Sequence, residues 1–149
     1  MLKRLHPVAG GIALVTIATF WLSTVVSEAF LPPTTIAAVK TSIPWGFLLL
    51  IPALMAAGAS GFRLSKGNRR GVVGAKARRM PFIAANGLII LVPSALYLAA
   101  KAAANQYDAG FYIVQALELI AGAINISLLG LSFRDGLRLT GRLRRVRHA

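Results

Sequence analysis

The chain has 149 residues, enough for one domain; 56% are apolar, yet the formal net charge is +13. A soluble domain of this size cannot hide so much apolar side chain, and a chain without cysteine has no disulfide, thiolate metal site or cysteine nucleophile. The basic residues fall between apolar runs, which points to a membrane rather than to nucleic acid.

Four apolar stretches approach or exceed the roughly 20 residues that cross the hydrocarbon of a bilayer as a helix. The first spans about 8–31, opens near Pro7 and is closed by Pro32 and Pro33. It carries no charge before Glu28, and Trp21 sits deep on one of its faces. Its start resembles a secretory signal, with a basic beginning, an apolar run and Ser27-Glu28-Ala29 as a small-x-small site. The run is longer than a usual signal and Glu28 occupies the site, so a retained span is expected. The second stretch covers about 43–62, opened by Pro44. The third covers about 80–100, with Pro81 in its first turn. Pro52 and Pro93 fall inside their helices and are expected to kink them. The fourth covers about 110–133 and contains one charge, Glu118. Trp45, Tyr97, Tyr107 and Tyr112 fall where an aromatic belt would sit. The expected fold is all-α: a single integral membrane domain, a four-transmembrane-helix bundle with a basic loop at 63–79 and a basic tail at 134–149.

Orientation follows from the basic residues in short loops. Lys3 and Arg4, seven residues of the 63–79 loop and six of the tail put fifteen on one side, against Lys40 and Lys101 on the other. Both termini are therefore expected in the cytoplasm. The two helix pairs show no repeat of the kind that builds inverted-repeat transporters.

Glu118 is the most informative residue. It lies about eight residues into its helix, roughly 12 Å below the outer edge at 1.5 Å per residue. A carboxylate there must be protonated, paired or wet. Gln115, Glu118, Gly122, Asn125 and Ser132 form one helical face, and Ile113, Leu117, Ile120, Ile124, Leu128 and Leu131 the opposite one. The polar stripe marks the packed side. Span three offers a matching face through Asn86, Ile90, Pro93, Tyr97 and Lys101. Depth pairs Glu118 with Ser94 or Tyr97, and Asn86 with Asn125. The stripe reads either as a proton relay or ligand site, or as hydrogen bonds that hold the helices in register. Glu118→Gln is expected to be nearly neutral for folding and Glu118→Lys severely damaging.

His6 is the histidine near a span, on a face with Gly10, Trp21 and Glu28, and is a candidate axial ligand for haem b. His148 lies in the tail, so two chains would have to supply two copies of His6. The plainer reading is an interfacial polar residue. Gly10-Gly11, the run from Ala56 to Gly61, and Ala121-Gly122-Ala123 permit close helix approach, within the bundle or at a homodimer face. In the tail, Arg138, Arg142, Arg144, Arg145 and Arg147 alternate with apolar residues, as in a helix lying on anionic lipid. No base-stacking aromatics accompany them, so nucleic acid is not the expected partner. The glycines between Ser65 and Gly74 lack phosphate-loop spacing. Four acids and two histidines spread over both sides form no catalytic set and no metal spacing.

The segments ATFWLSTVVSE, AVKTSIPWG, RRMPFIAANGLIILVPSALYLAA and FYIVQALELIAGAINISLLGLSFRDGLRL resemble small, uncharacterised four-helix inner-membrane proteins of Gram-negative bacteria. The resemblance covers over half of the chain and implies a bacterial cytoplasmic membrane. It brings no activity and no functional residues. The leading expectation is a non-enzymatic accessory or assembly component acting through helix–helix contacts, as a homodimer or in a larger membrane complex. The alternatives are a b-type cytochrome or quinone-linked electron-transfer protein, and a small oligomeric proton-coupled transporter.

Overall fold

The computed structural model describes residues 2–65 and 71–139, and all the regular structure among them is helical. Helices α1 (Leu2–Phe30) and α2 (Pro33–Ser65) form a hairpin; α3 (Gly71–Ala85), a π-helical segment (Asn86–Leu91) and α4 (Val92–Ala103) run on as a third rod; α5 (Ala109–Leu139) is the fourth. Four stretches are long and apolar enough to cross a membrane: Leu5–Phe30, Pro33–Arg63, Val73–Ala103 and Ala109–Arg138. That is the makeup of a multi-pass membrane protein.

The helices outrun the apolar stretches that announce them. Between α1 and α2 stand only Leu31 and Pro32, where a loop to residue 42 was expected. Pro33 needs no N–H in a first turn, and Pro32 O accepts the N–H groups of Thr35 (2.9 Å) and Ile36 (3.2 Å), so helix starts at once. Pro44 lies inside α2 rather than opening it. The described part of the basic 63–79 loop is helical as well, since α2 continues to Ser65 and α3 starts at Gly71, with φ +57°. α5 carries on to Leu139, so Arg134 and Arg138 of the expected tail are helical. In each case the helix continues past the apolar stretch, because polar residues at a bundle's ends cost a helix nothing.

Pro93 has no N–H to offer the carbonyl one turn back. The turn before it widens into the π-segment, where the Val92 N–H reaches Gly87 O. α4 ends in a Schellman turn. Asn105 adopts φ +53°, its N–H reaches Ala102 O (3.0 Å), and Gln106 N–H reaches Lys101 O (2.9 Å). Asp108 then caps α5, its Oδ1 accepting the Phe111 N–H at 2.9 Å.

Two apolar clusters hold the bundle. Ala13, Ile17, Leu50, Ala53, Ile83 and Leu129 pack at mid-depth; Leu98, Ala102 and Phe111 pack near the α4–α5 turn. Large rings on α1 sit directly on glycines of its neighbours. Phe20 covers Gly46, leaving no room for a side chain there. A Cβ at Gly61 would fall 2.9 Å from His6 Cε1, and one at Gly122 2.8 Å from Trp21 Cδ1. These glycines serve packing within the bundle.

Candidate functional site

The chemistry gathers near the end of the bundle that carries the α1–α2 and α4–α5 turns. Lys40 lies in the second turn of α2, with its side chain 1% exposed. Its Nζ donates to Glu118 Oε2 at 2.9 Å and stands 3.9 Å from Glu28 Oε1. One ammonium thus faces two largely buried carboxylates, from α1 and α5. Lys40 had been expected in an outer loop. Helix α2 begins ten residues earlier than expected, and this swings Lys40 into the bundle. The expected partners of Glu118, Ser94 and Tyr97, give way to Lys40. Ser94 is buried on α4, whereas Tyr97 is 40% exposed with Lys101 Nζ 5.9 Å from its ring centre. An isolated carboxylate at this depth would be costly, and a facing cation offsets part of that cost.

The polar stripe of α5 faces inward. Gln115, Asn125 and Ser132 are each under 5% exposed, while Ile113, Leu117, Ile120 and Ile124 of the opposite face are exposed. Asn86 Nδ2 donates to Ala121 O at 2.8 Å rather than to Asn125. Gly87, next to Asn86, lies against Asn125, and a Cβ there would be 3.8 Å from Asn125 Nδ2. Neither side-chain atom of Asn125 has a hydrogen-bond partner among the described residues, and the same holds for Gln115.

Beside the stripe runs an apolar cavity of about 440 Å³, between α1, α2, the third rod and α5. Ile17, Phe20, Trp21, Phe47, Leu54 and Leu91 supply much of its wall; Thr24, Glu118 and Asn125 are its polar members. Its wall includes Met55 and Leu88, 69% and 62% exposed, so it opens sideways between α2 and the π-segment.

His6 brackets α1 to α2. Its Nδ1 lies 2.9 Å from Ala57 O and 3.1 Å from Ser60 Oγ. A carbonyl only accepts, so Nδ1 carries the proton. His148, the other histidine a haem would draw on, lies outside the described residues. Trp21 does a similar job between α1 and α5, donating from Nε1 to Leu119 O at 2.9 Å. Of the expected lipid-contacting arginines, Arg138 ends the described chain near Leu139, and Arg142, Arg144, Arg145 and Arg147 lie outside it.

Two more ion pairs flank the bundle. Arg79 Nη1 meets Asp135 Oδ2 at 2.6 Å, the carboxylate side chain 8% exposed; Lys101 Nζ meets Asp108 Oδ2 at 2.6 Å, that carboxylate 52% exposed. The Lys101 hydrogen bond, with help from the Phe111 N–H, holds the Asp108 carboxyl below its ordinary value. Tyr107 closes the same end by donating to Pro33 O at 3.0 Å; desolvation pushes its hydroxyl pKa up.

The residues that sequence reasoning missed are Lys40, Arg79 and Asp135. A signal for Lys40 exists. Lys40, Ile43, Leu50, Ala53, Ala57 and Ser60 are the buried positions of α2, at steps of three, seven, three, four and three. Extending that heptad-like period one step upstream of Ile43 lands on Lys40. No family model, curated protein or solved structure matches the chain.

Proposed function

We propose that this is a multi-pass protein of a bacterial cytoplasmic membrane, with both ends cytoplasmic, acting as a non-enzymatic accessory or assembly component through helix–helix contacts. The orientation rests on the fifteen-to-two division of Lys and Arg. At the cytoplasmic end, Arg138, Arg142, Arg144, Arg145 and Arg147 hold anionic lipid headgroups, each basic side chain adding about 1 kcal/mol.

One observation carries the accessory reading. A shallow groove runs between α1 and α5 on the outer face, lined by Ala18, Trp21, Leu22, Ala123, Ile126 and Ser127. Ala18, Ala123 and Ser127 are its small members, between which another helix's backbone can approach closely, and Ser127 keeps its hydroxyl turned back to Ala123 O at 2.8 Å. The opposite end offers little else to a water-borne partner, because its turns are Leu31-Pro32 and residues 104–108.

The chain has no cysteine, so a single cysteine at Ala18 or Ala123 is a clean cross-linking handle. The expected result in native membranes is an adduct to one membrane polypeptide or a second copy, lost when Ala123→Leu fills the groove. A protein that stays monomeric in mild detergent and yields no adduct overturns the reading.

A second reading, a small oligomeric proton-coupled transporter, is favoured by Lys40 standing between two carboxylates. There, Glu118→Gln abolishes proton-coupled flux in liposomes; unchanged flux removes the relay.

A further inference from the structure

Helix packing leaves a gap that the described residues do not fill. α2 packs along α4, meets α3 at few points, and makes no close approach to the π-segment, which rests on α5 instead. The cavity of about 440 Å³ occupies that gap. Its lining runs from Ile43 to Gly58 on α2 and from Met80 to Ala95 on the third rod. Each stretch is roughly 22 Å long at 1.5 Å per residue. A void of this volume drawn out over that length is a slot. One edge of it is open: Ile51 and Met55 of α2 and Leu88 across from them line the slot and are exposed. In a membrane-spanning bundle that edge faces lipid tails.

The slot offers an occupant almost nothing to hydrogen-bond. Thr24 and Asn125 are 2% and 1% exposed, both amide atoms of Asn125 are inaccessible, and Glu118 is engaged by Lys40. Apolar walls do not hold water, and an empty slot would leave its lining without dispersion contacts. The fitting occupant is bare hydrocarbon. A helix, about 10–12 Å across, needs several times this volume over the same length. A lipid tail does not. The hydrocarbon of a bilayer is about 30 Å thick, so a tail that reaches the midplane fits within the length of the slot.

Charge at one end selects the lipid. Met80 and Pro81 line the end of the slot nearest the basic 63–79 loop. Arg78 is exposed and stands three residues before Pro81, one helical turn nearer that loop. It makes no ion pair among the described residues, whereas its neighbour Arg79 is held by Asp135. We propose that the slot holds one acyl chain of an anionic phospholipid from the cytoplasmic leaflet, with Arg78 on its phosphate. This rests on the membrane reading and the orientation given above. The tail runs from Pro81 and Gly58 toward Ala95 and Ile43, and supplies between α2 and the π-segment the contact that the two helices do not make. The second tail stays in the bilayer.

The two tryptophans make the test direct, since Trp21 lines the slot and Trp45 is 75% exposed. Full-length Trp45→Phe protein reports on Trp21, and Trp21→Phe protein on Trp45. Each is placed in phosphatidylcholine nanodiscs with a rising fraction of phosphatidylglycerol brominated along its tails, a contact quencher. Trp21 quenching is expected to saturate at a small fraction, and Trp45 quenching to follow the fraction throughout. Unbrominated phosphatidylglycerol of the same chain length restores Trp21 emission; a short-tailed one, unable to fill the slot, does not. That comparison alters no residue of the slot, so it decides the matter even where a slot variant fails to fold. Gly58 lines the slot with open space at its Cβ position, so Gly58→Phe removes the saturating component. Ala123→Leu, in the outer groove that Trp21 also borders, leaves it in place. Arg78→Ala weakens the binding of phosphatidylglycerol by roughly fivefold, as losing one basic contact predicts.

Parallel curves for the two tryptophans overturn the slot as a lipid site. So does equal displacement by the short-tailed lipid, or a saturating component that Ala123→Leu removes and Gly58→Phe retains. Unchanged binding in Arg78→Ala overturns the headgroup assignment. Nanodiscs present both leaflets, so these outcomes do not depend on the orientation of the chain. A protein that alkali washes off its membrane overturns the membrane reading itself, and loss of the Ala18 adduct bears only on the α1–α5 groove.

Discussion

Lys40 and Lys101 sit near the same end of the bundle, and each meets a carboxylate within 3 Å, yet the two pairs do different work. Lys101 and Asp108 are seven residues apart around the α4–α5 turn, in contact with the surroundings. Lys40 and Glu118 are 78 residues apart and closed in by three helices, with Glu28 as a third member. An exposed pair gives up little water and adds little stability. A buried pair is weak evidence for stability as a whole, but removing one member strands the others. The same chemistry is a surface ornament at one site and a structural obligation at the other.

Lys40→Met puts that difference under the largest strain. It leaves Glu28 and Glu118 buried without their cation, at a cost of about 3–5 kcal/mol. Detergent-solubilised protein should lose helical signal at much lower denaturant. Adding Glu28→Gln and Glu118→Gln to the same chain should recover most of the loss. A single Lys40→Met variant as stable as the parent would mean that the cluster is wet.

Glu118→Gln comes next. The sequence led to an expectation of near-neutrality. The pairing with Lys40 changes it to a loss of about 1–3 kcal/mol, held down because Glu28 remains 3.9 Å from Lys40. Glu118→Lys, which sets two cations face to face, should abolish accumulation of the protein in membranes. Equal expression of the two variants would place Glu118 in water.

Asp135→Asn tests the intermediate case, since the carboxylate is buried and Arg79 is 27% exposed. Arg79 can turn to solvent when its partner is lost, so the loss should be smaller, about 1 kcal/mol. Thermal unfolding in detergent would order the three sites.

The smallest effect belongs to Asp108→Asn, which retains the cap to Phe111 and gives up only the Lys101 pairing. Its stability should match the parent near neutral pH. In the parent, Asp108 has a lowered carboxyl, so its contribution is complete above the ordinary value of 3.8. It declines as pH falls past that value and is gone below the lowered folded one. The Asn variant lacks this acid step; an identical acid profile in both proteins would show that the pair adds nothing even here.

Particular residues show how far the sequence reaches. Hydropathy marked four spans, and a helical period of 3.6 put Gln115, Asn125 and Ser132 on one side of α5. Both are local properties, readable from neighbours along the chain. Helix ends were less legible. A proline pair reads as a stop, but Pro33 also makes a first helical turn, and nothing local chose between them. That single choice moved Lys40 from an expected loop into the bundle.

The sequence by itself determined the number of apolar rods, the inward stripe of the last one, and the uneven placement of basic charge that orients the proposal. Tertiary structure decided which carboxylates Lys40 meets, which glycines lie under Phe20, His6 and Trp21, and that Asn125 borders an open cavity instead of pairing with Asn86. The reason is physical. Apolar length and helical period are set within a few turns of chain, whereas an ion pair or a cavity depends on how rods distant in sequence are rotated and spaced against one another.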